Sequence, residues 1–191
     1  DLWHRHPPTQ GDLACWGGDL ATWLAGRESL VDVPYLADVA RVEWAMHRAA
    51  TWLDATLDTA SFARLSTEDP AALSLELAPG IALIDSGFPV VALIAAHKTG
   101  EPGLSEVGAM LRAGVRQTAL IWRQGLQPRL ATCSPAEQVL WRSLMEGRDL
   151  VSALNETSAA EPANASTLDF DFSEWLTGAV TDGLVIGVRT A

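Results

Sequence analysis

This chain is poor in the motifs that usually announce chemistry. It has no glycine-rich phosphate loop, no G-x-S-x-G elbow and no C-x-x-C pair, which removes the commonest nucleotide, hydrolase and redox signatures. Its two cysteines, Cys15 and Cys133, have no metal or redox spacing. They are expected to be reduced, buried thiols of a cytoplasmic protein, with a single disulfide as the alternative. No run of about 18 uncharged apolar residues is present, so no membrane-spanning helix is expected. No secretory signal is visible, and the chain begins at Asp1 rather than Met, so a segment upstream is expected. Basic residues are scarce: Lys and Arg total 13 against 24 Asp and Glu, a formal net charge of -11. From Asp149 to Val188 there is no Lys or Arg at all. That balance disfavours a polyanionic partner.

Against these absences stands an ordinary globular composition, 48% hydrophobic and 19% charged, over 191 residues. This is enough for one large domain or two small ones. The firmest helical pattern runs from Pro34 to Leu57. Leu36, Val39, Ala40, Met46, Ala50, Leu53 and Leu57 recur at helical steps and make one apolar stripe. Pro34 suits a first-turn position, and Asp32 is a candidate cap. A helix of that length would span about 35 Å. Upstream, Asp12 to Ala14 and Leu20 to Ala25 read as short helical turns, with Trp16, Leu20, Trp23 and Leu24 as buried anchors and Gly26 as a stop.

After a turn-rich stretch, Leu73, Leu75 and Leu77 alternate with Ser74, Glu76 and Ala78, a strand signal. Ile81 to Ile84 reads as a second strand or a turn of helix. Pro89 to Ala96 reads as a helix. Thr99 to Gly114, with four glycines and one proline, is the best internal boundary. Beyond it the pattern sharpens. Arg116 to Arg123 and Pro128 to Cys133 read as two strands joined by a turn at Gln124-Gly125. Ser134 with Glu137 forms a capping box, with Pro135 at the first helical position. That helix turns Ala136, Val139, Leu140 and Leu144 inward and ends near Gly147. A second helix presents Leu150, Ala153 and Leu154. Ala159 to Thr167 is a small-residue loop. Asp171 opens a third helix, with Phe170 and Trp175 placed as a hydrophobic staple, and Gly183 ends it. Leu184 to Val188 closes as a strand. The order hairpin, three helices, strand is that of a small winged-helix-like module. The expected fold class is α+β: a mainly helical domain over 1–98, a linker over 99–114 and this module over 115–191.

Several residues carry candidate chemistry. Glu43 and His47 share a helix face, and His4 and His6 could complete a metal site with them. A lone E-x-x-x-H is more often a solvated polar pair. Cys15 is the thiol nearest these histidines, but nothing marks it as activated. Asn155-Glu156-Thr157 and Asn164-Ala165-Ser166 match glycosylation sequons and read as chance. The eight tryptophans are scattered rather than clustered with Arg or Lys, which favours a core role over base stacking. The winged shape raises DNA binding, yet a recognition helix needs basic side chains, and Phe172 to Asp182 has none. A hairpin beside an apolar helix can instead accept an extended peptide as an added strand.

One stretch also carries a family resemblance. His6-Pro7-Pro8, Asp12-Leu13 with Trp16-Gly17, the run from Pro34 through Trp44, and His47-Arg48-Ala49 together resemble the HvfC/BufC family, whose N-terminal domain carries a DNA-binding label. Pro79 and Ser86-Gly87-Phe88-Pro89-Val90 extend the likeness, and the C-terminal module looks like the second half of these proteins. The family's upstream helical segment is absent before Asp1, so the first domain is expected to be incomplete at its start. Ala50-Thr51 stands where the family tends to carry an aromatic residue and a histidine.

The resemblance implies a non-catalytic role like that of MbnC, the partner of the multinuclear-iron oxidase MbnB. Such partners help mature ribosomally made peptides, whose cysteines become copper-binding heterocycles. It also implies a PqqD-type peptide recognition element. The precursor's leader would then add as a strand beside Pro128, Arg129, Leu130, Ala131 and Thr132 and lie against Trp175, Leu176, Ala179 and Val180. The oxidase would dock on the helical half through Tyr35, Asp38, Arg41, Glu43 and His47. No cofactor is expected in this chain, the iron belonging to the partner enzyme. The alternatives are a winged-helix transcription regulator and a metal enzyme built on Glu43, His47 and the N-terminal histidines.

Overall fold

A computed structural model describes residues 2–5, 7–9, 11, 15–160 and 170–191. The helical turn expected at Asp12 to Ala14, His6, the second sequon at Asn164 and most of the loop from Ala159 to Thr167 lie outside these residues. The fold is α+β, with helices and two small antiparallel sheets. The helices are α1 (Leu2–Arg5), α2 (Leu20–Ala25), α3 (Leu36–Thr51), α4 (Arg64–Thr67), α5 (Val90–Thr99), α6 (Leu104–Arg112), α7 (Pro135–Met145), α8 (Leu150–Ala160) and α9 (Phe172–Thr181). The strands are β1 (Leu73–Leu77), β2 (Ala82–Ser86), β3 (Gln117–Gln124), β4 (Gln127–Thr132) and β5 (Val185–Thr190).

The central helix is shorter than its sequence pattern. α3 ends at Thr51, about 24 Å from its start, and Trp52 turns extended. Leu53 is 83% and Leu57 42% exposed, so the last two members of the stripe do not join the core. Ala50 is exposed as well, and the buried face is Ala40, Val42, Met46 and Ala49. What stops the helix is Trp52 itself. Its indole lies against Gly80, where φ is +81° and a Cβ would collide with the ring. The expected cap at Asp32 is not used: the first turn opens at Tyr35, with no side-chain cap bond. In α2 the buried residue is Ala21, while Leu20 is exposed.

The glycine-rich stretch 99–114 carries α6, whose Val107 is buried. The strands on its two sides pair with each other. β1 pairs antiparallel with β5, from Leu73 opposite Thr190 to Leu77 opposite Val185. β2 pairs with β3, and β3 with β4, giving the order β2-β3-β4. The hairpin turn therefore falls one residue later than expected, at Gly125-Leu126. The order hairpin, three helices, strand holds from residue 117 onward, but β5 joins β1 rather than the hairpin.

The sheet residues divide two cores. Leu120, Trp122 and Cys133 face α7, α8 and α9, together with Leu73, Leu75, Leu140, Trp141, Leu144, Leu150 and Val185. Ala119 and Ile121 face the opposite way, onto Val42, Met46 and Ala49 of α3 and Val90 and Ile94 of α5. Period-two alternation along β3 is the cause. Local signals hold α7 and α9 as the sequence indicates. Ser134 and Glu137 make both bonds of the capping box. Asp171 accepts from the Ser173 and Glu174 N–H groups, and Phe170 packs on Trp175.

Leu140 is fully buried in the larger core, and Leu53 lies beyond the observed end of α3. In urea unfolding, Leu140→Ala is expected to cost about 2–5 kcal/mol. Leu53→Ala should stay within about 0.5 kcal/mol; a large loss there would mean the longer helix is the real one.

Candidate functional site

The site with the clearest geometry is the outer edge of β4. The hairpin closes at Gln124 opposite Gln127, so hydrogen-bonded pairs recur at Trp122–Arg129 and Leu120–Ala131. The Cys133 N–H donates to the Thr118 carbonyl at 3.1 Å, which fixes the same parity. Pro128, Leu130 and Thr132 are thus the non-bonded partners, and their backbone groups point away from β3. Leu130 and Thr132 direct an N–H and a C=O outward, and Pro128 a C=O alone. Among the described residues no strand lies beyond β4. A proline at an outward position is a common device for guarding an edge.

β5 offers a contrast. Its outer edge is covered by the 58–64 segment. The Asp58 N–H donates to the Ile186 carbonyl at 2.8 Å, and the Val188 N–H donates to Ser61 Oγ at 2.9 Å. The Arg64 guanidinium reaches the Val188 carbonyl.

The side chains of β4 alternate as the pleat requires. Leu130 packs on the α3–α5 core and Ala131 on the α7–α9 core, while Arg129 and Thr132 are exposed. A short polar relay joins this strand to the end of α9. Arg129 Nε donates to Gln124 Oε1, Gln124 Nε2 to Asp182 Oδ1, and Trp122 Nε1 to the Asp182 carbonyl at 3.1 Å. Sequence reasoning missed Gln124 and Asp182. The turn position could have pointed to Gln124; nothing local marks Asp182, which follows the helix it helps to anchor.

The four α9 residues expected to line a groove differ in exposure. Ala179 is 4% exposed and belongs to the core. Trp175, Leu176 and Val180 are half-buried against it, and Trp175 also contacts Trp141, Phe170 and Phe172. Val180 further lines a cavity of about 330 Å³ with Leu53, Arg123 and Gly125.

The five α3 residues expected to meet a partner do not share one face. Tyr35 and Glu43 line a pocket of about 150 Å³ with Val39, Leu93 and His97, between α3 and α5. Tyr35 also meets Phe88 edge-on at 6.3 Å. Asp38 accepts from Ser86 Oγ at 2.6 Å and pairs with Arg41 at 2.5 Å. Ser86 in turn accepts from the Phe88 N–H. Asp38 therefore braces the Ser86–Phe88 corner, a positioning role that its spacing alone did not show. His47 stacks on Trp44, whose ring covers Gly17 and Gly18. Among the described residues no three His, Cys, Asp or Glu side chains stand close enough to hold a metal ion. No described helix is long and apolar enough to cross a membrane.

Cys133 and Asp85 are among the titrating groups with perturbed environments. Burial pushes the Cys133 thiol up to about 12. Cys15, expected to be buried, is exposed. The Thr118 hydroxyl, followed by Arg142, holds the Asp85 carboxyl below the usual carboxylate range.

Comparison with protein-family models, with curated proteins and with solved structures finds no match.

Two measurements check these environments. Iodoacetamide at neutral pH should label Cys15 and spare Cys133 until the protein is denatured; early labelling of Cys133 would contradict its burial. Asp85 is depressed in the fold, so its contribution exists above the unfolded value, near 4, and fades as pH falls through the folded one. Asp85→Asn should accordingly lower the melting temperature at neutral pH and change it less in strong acid. An equal loss at both would mean the carboxylate charge is not what matters.

Proposed function

We propose that this chain is a non-catalytic adaptor that takes up the leader of a ribosomally made precursor peptide as an added strand on β4. The observation that carries this reading is the outward pair of N–H and C=O groups at Leu130 and Thr132, on a strand with no described strand beyond it. Backbone bonds of this kind give affinity with little regard to sequence, and pockets for alternate side chains give selectivity. Trp175, Leu176 and Val180 supply partly exposed apolar surface on α9, whose end is tied to the hairpin through Asp182. The family likeness of the sequence adds the rest of the role. The bound precursor is presented to an MbnB-type multinuclear-iron oxidase, which holds the iron and converts cysteines to copper-binding heterocycles. That enzyme docks on the helical half, where Tyr35 and Glu43 flank an apolar pocket and Arg41 stands exposed, paired with Asp38. The action is set in the cytoplasm, in a fold whose β2-β3-β4 hairpin side with α7, α8 and α9 acts as the PqqD-type recognition element.

A DNA-binding regulator is less well supported. α9 carries Glu174 and no Lys or Arg, and a carboxylate-bearing helix repels a phosphate backbone.

The test uses a fluorescently labelled leader from a precursor encoded beside this chain and measures anisotropy. Leu130→Pro removes an outward N–H and no bond to β3, so the hairpin should persist while affinity falls about tenfold or more. Thr132→Pro, at an exposed outward position, should do the same. Unchanged binding in both folded variants would rule out strand addition at this edge.

A further inference from the structure

A second feature lies at the opposite end of the same sheet. Asp85 of β2, Arg116, Gln117 and Thr118 at the start of β3, and Gln138 and Arg142 of α7 line a cleft of about 320 Å³. Asp85 is exposed, and each of its oxygens accepts one bond within the wall. Its Oδ1 accepts from the Thr118 hydroxyl at 2.8 Å and its Oδ2 from Arg142 at 2.6 Å. Gln117 is oriented as well: its Oε1 accepts from the Val91 and Ala92 N–H groups at the start of α5, at 3.0 and 3.1 Å. That holds its side chain toward α5, on the face of β3 opposite α7. Gln138 spends an Nε2 N–H on the Cys133 carbonyl.

The charges follow from this arrangement. Two guanidiniums and one carboxylate line the cleft, so its lining carries one net positive charge. The chain around it carries -11. Arginine forks match planar two-oxygen acceptors. One net positive charge balances a monoanion and is overcharged by a dianion. Screening over about 8 Å at physiological salt confines the effect to the cleft itself.

We infer that the cleft between Arg116 and Arg142 is a binding site for a single carboxylate, supplied by an acidic side chain or a chain terminus of a partner polypeptide. Arg116 is exposed, forms no hydrogen bond or ion pair among the described residues, and feels the Asp85 charge; it supplies the free fork. Arg142 is held in place by Asp85. This inference is independent of strand addition at β4 and survives if that reading fails.

The test is an NMR titration of the isotope-labelled full chain with four small probes. N-acetyl-aspartate N-methylamide carries a side-chain carboxylate and N-acetylglycine a terminal one. N-acetyl-asparagine N-methylamide is the neutral control, and inorganic phosphate is the dianion. Either carboxylate should give saturable shifts at the Gln117 and Thr118 amides, with a Kd of about 1–10 mM as befits a fragment. Whichever of the two binds more tightly identifies the source, and both outcomes support the site. Arg116→Gln, with an unchanged melting temperature, should weaken binding about tenfold. Absence of saturable shifts, equal shifts with the asparagine probe, tighter binding of phosphate, or wild-type affinity in Arg116→Gln would each overturn the site.

Discussion

The pairing of β1 with β5 joins residues more than a hundred positions apart in the sequence, and the larger core forms around that closure. Leu73, Leu75 and Val185 are fully buried there, against Leu140, Trp141 and Leu144 of α7. Each such side chain contributes about 1.5–3 kcal/mol by leaving water. Without this pairing, α7, α8 and α9 would pack on the hairpin residues Leu120, Trp122 and Cys133 alone. The same closure explains why the two edges differ. The 58–64 segment runs over β5 and bonds to its outward groups at Ile186 and Val188, so that edge is covered. β4 receives no equivalent cover among the described residues.

The parts legible in the sequence are those fixed by neighbours along the chain. Ser134 and Glu137 sit three apart, and Phe170 and Trp175 flank a cap, so local chemistry alone determines both helix starts. The hairpin was legible for the same reason. What was not legible depends on distant contacts. The stripe of α3 continues in sequence to Leu57, but Trp52 leaves the helix to cover Gly80, a contact no periodicity encodes. Likewise Ser74 is as buried as Leu73 and Leu75, although it stands at the alternate position of β1. The glycines of 99–114 suggested a boundary, yet Gly103 and Gly114 simply bracket α6, and the sheets run across it.

For the candidate site, the hairpin's return strand was legible in the sequence, but its parity was not. Pro128 to Thr132 was readable as the return arm of a hairpin. Which of those residues offer their backbone outward depends on a two-residue turn at Gly125-Leu126, one step later than expected. On α9 the pattern marked four apolar positions, but one of them, Ala179, is inside the core. The relay from Arg129 through Gln124 to Asp182 involves polar residues from three places in the chain, and only the folded arrangement shows that they meet.

The functional reading depends on backbone groups of one strand that face solvent in alternation. Amide hydrogen exchange on the chain alone reports on this residue by residue. The N–H groups of Arg129 and Ala131 should exchange slowly and those of Leu130 and Thr132 quickly, with the fast pair becoming slow when an extended peptide binds. Uniformly slow exchange along the strand before any peptide is added would show that the edge is already filled, and would contradict the account.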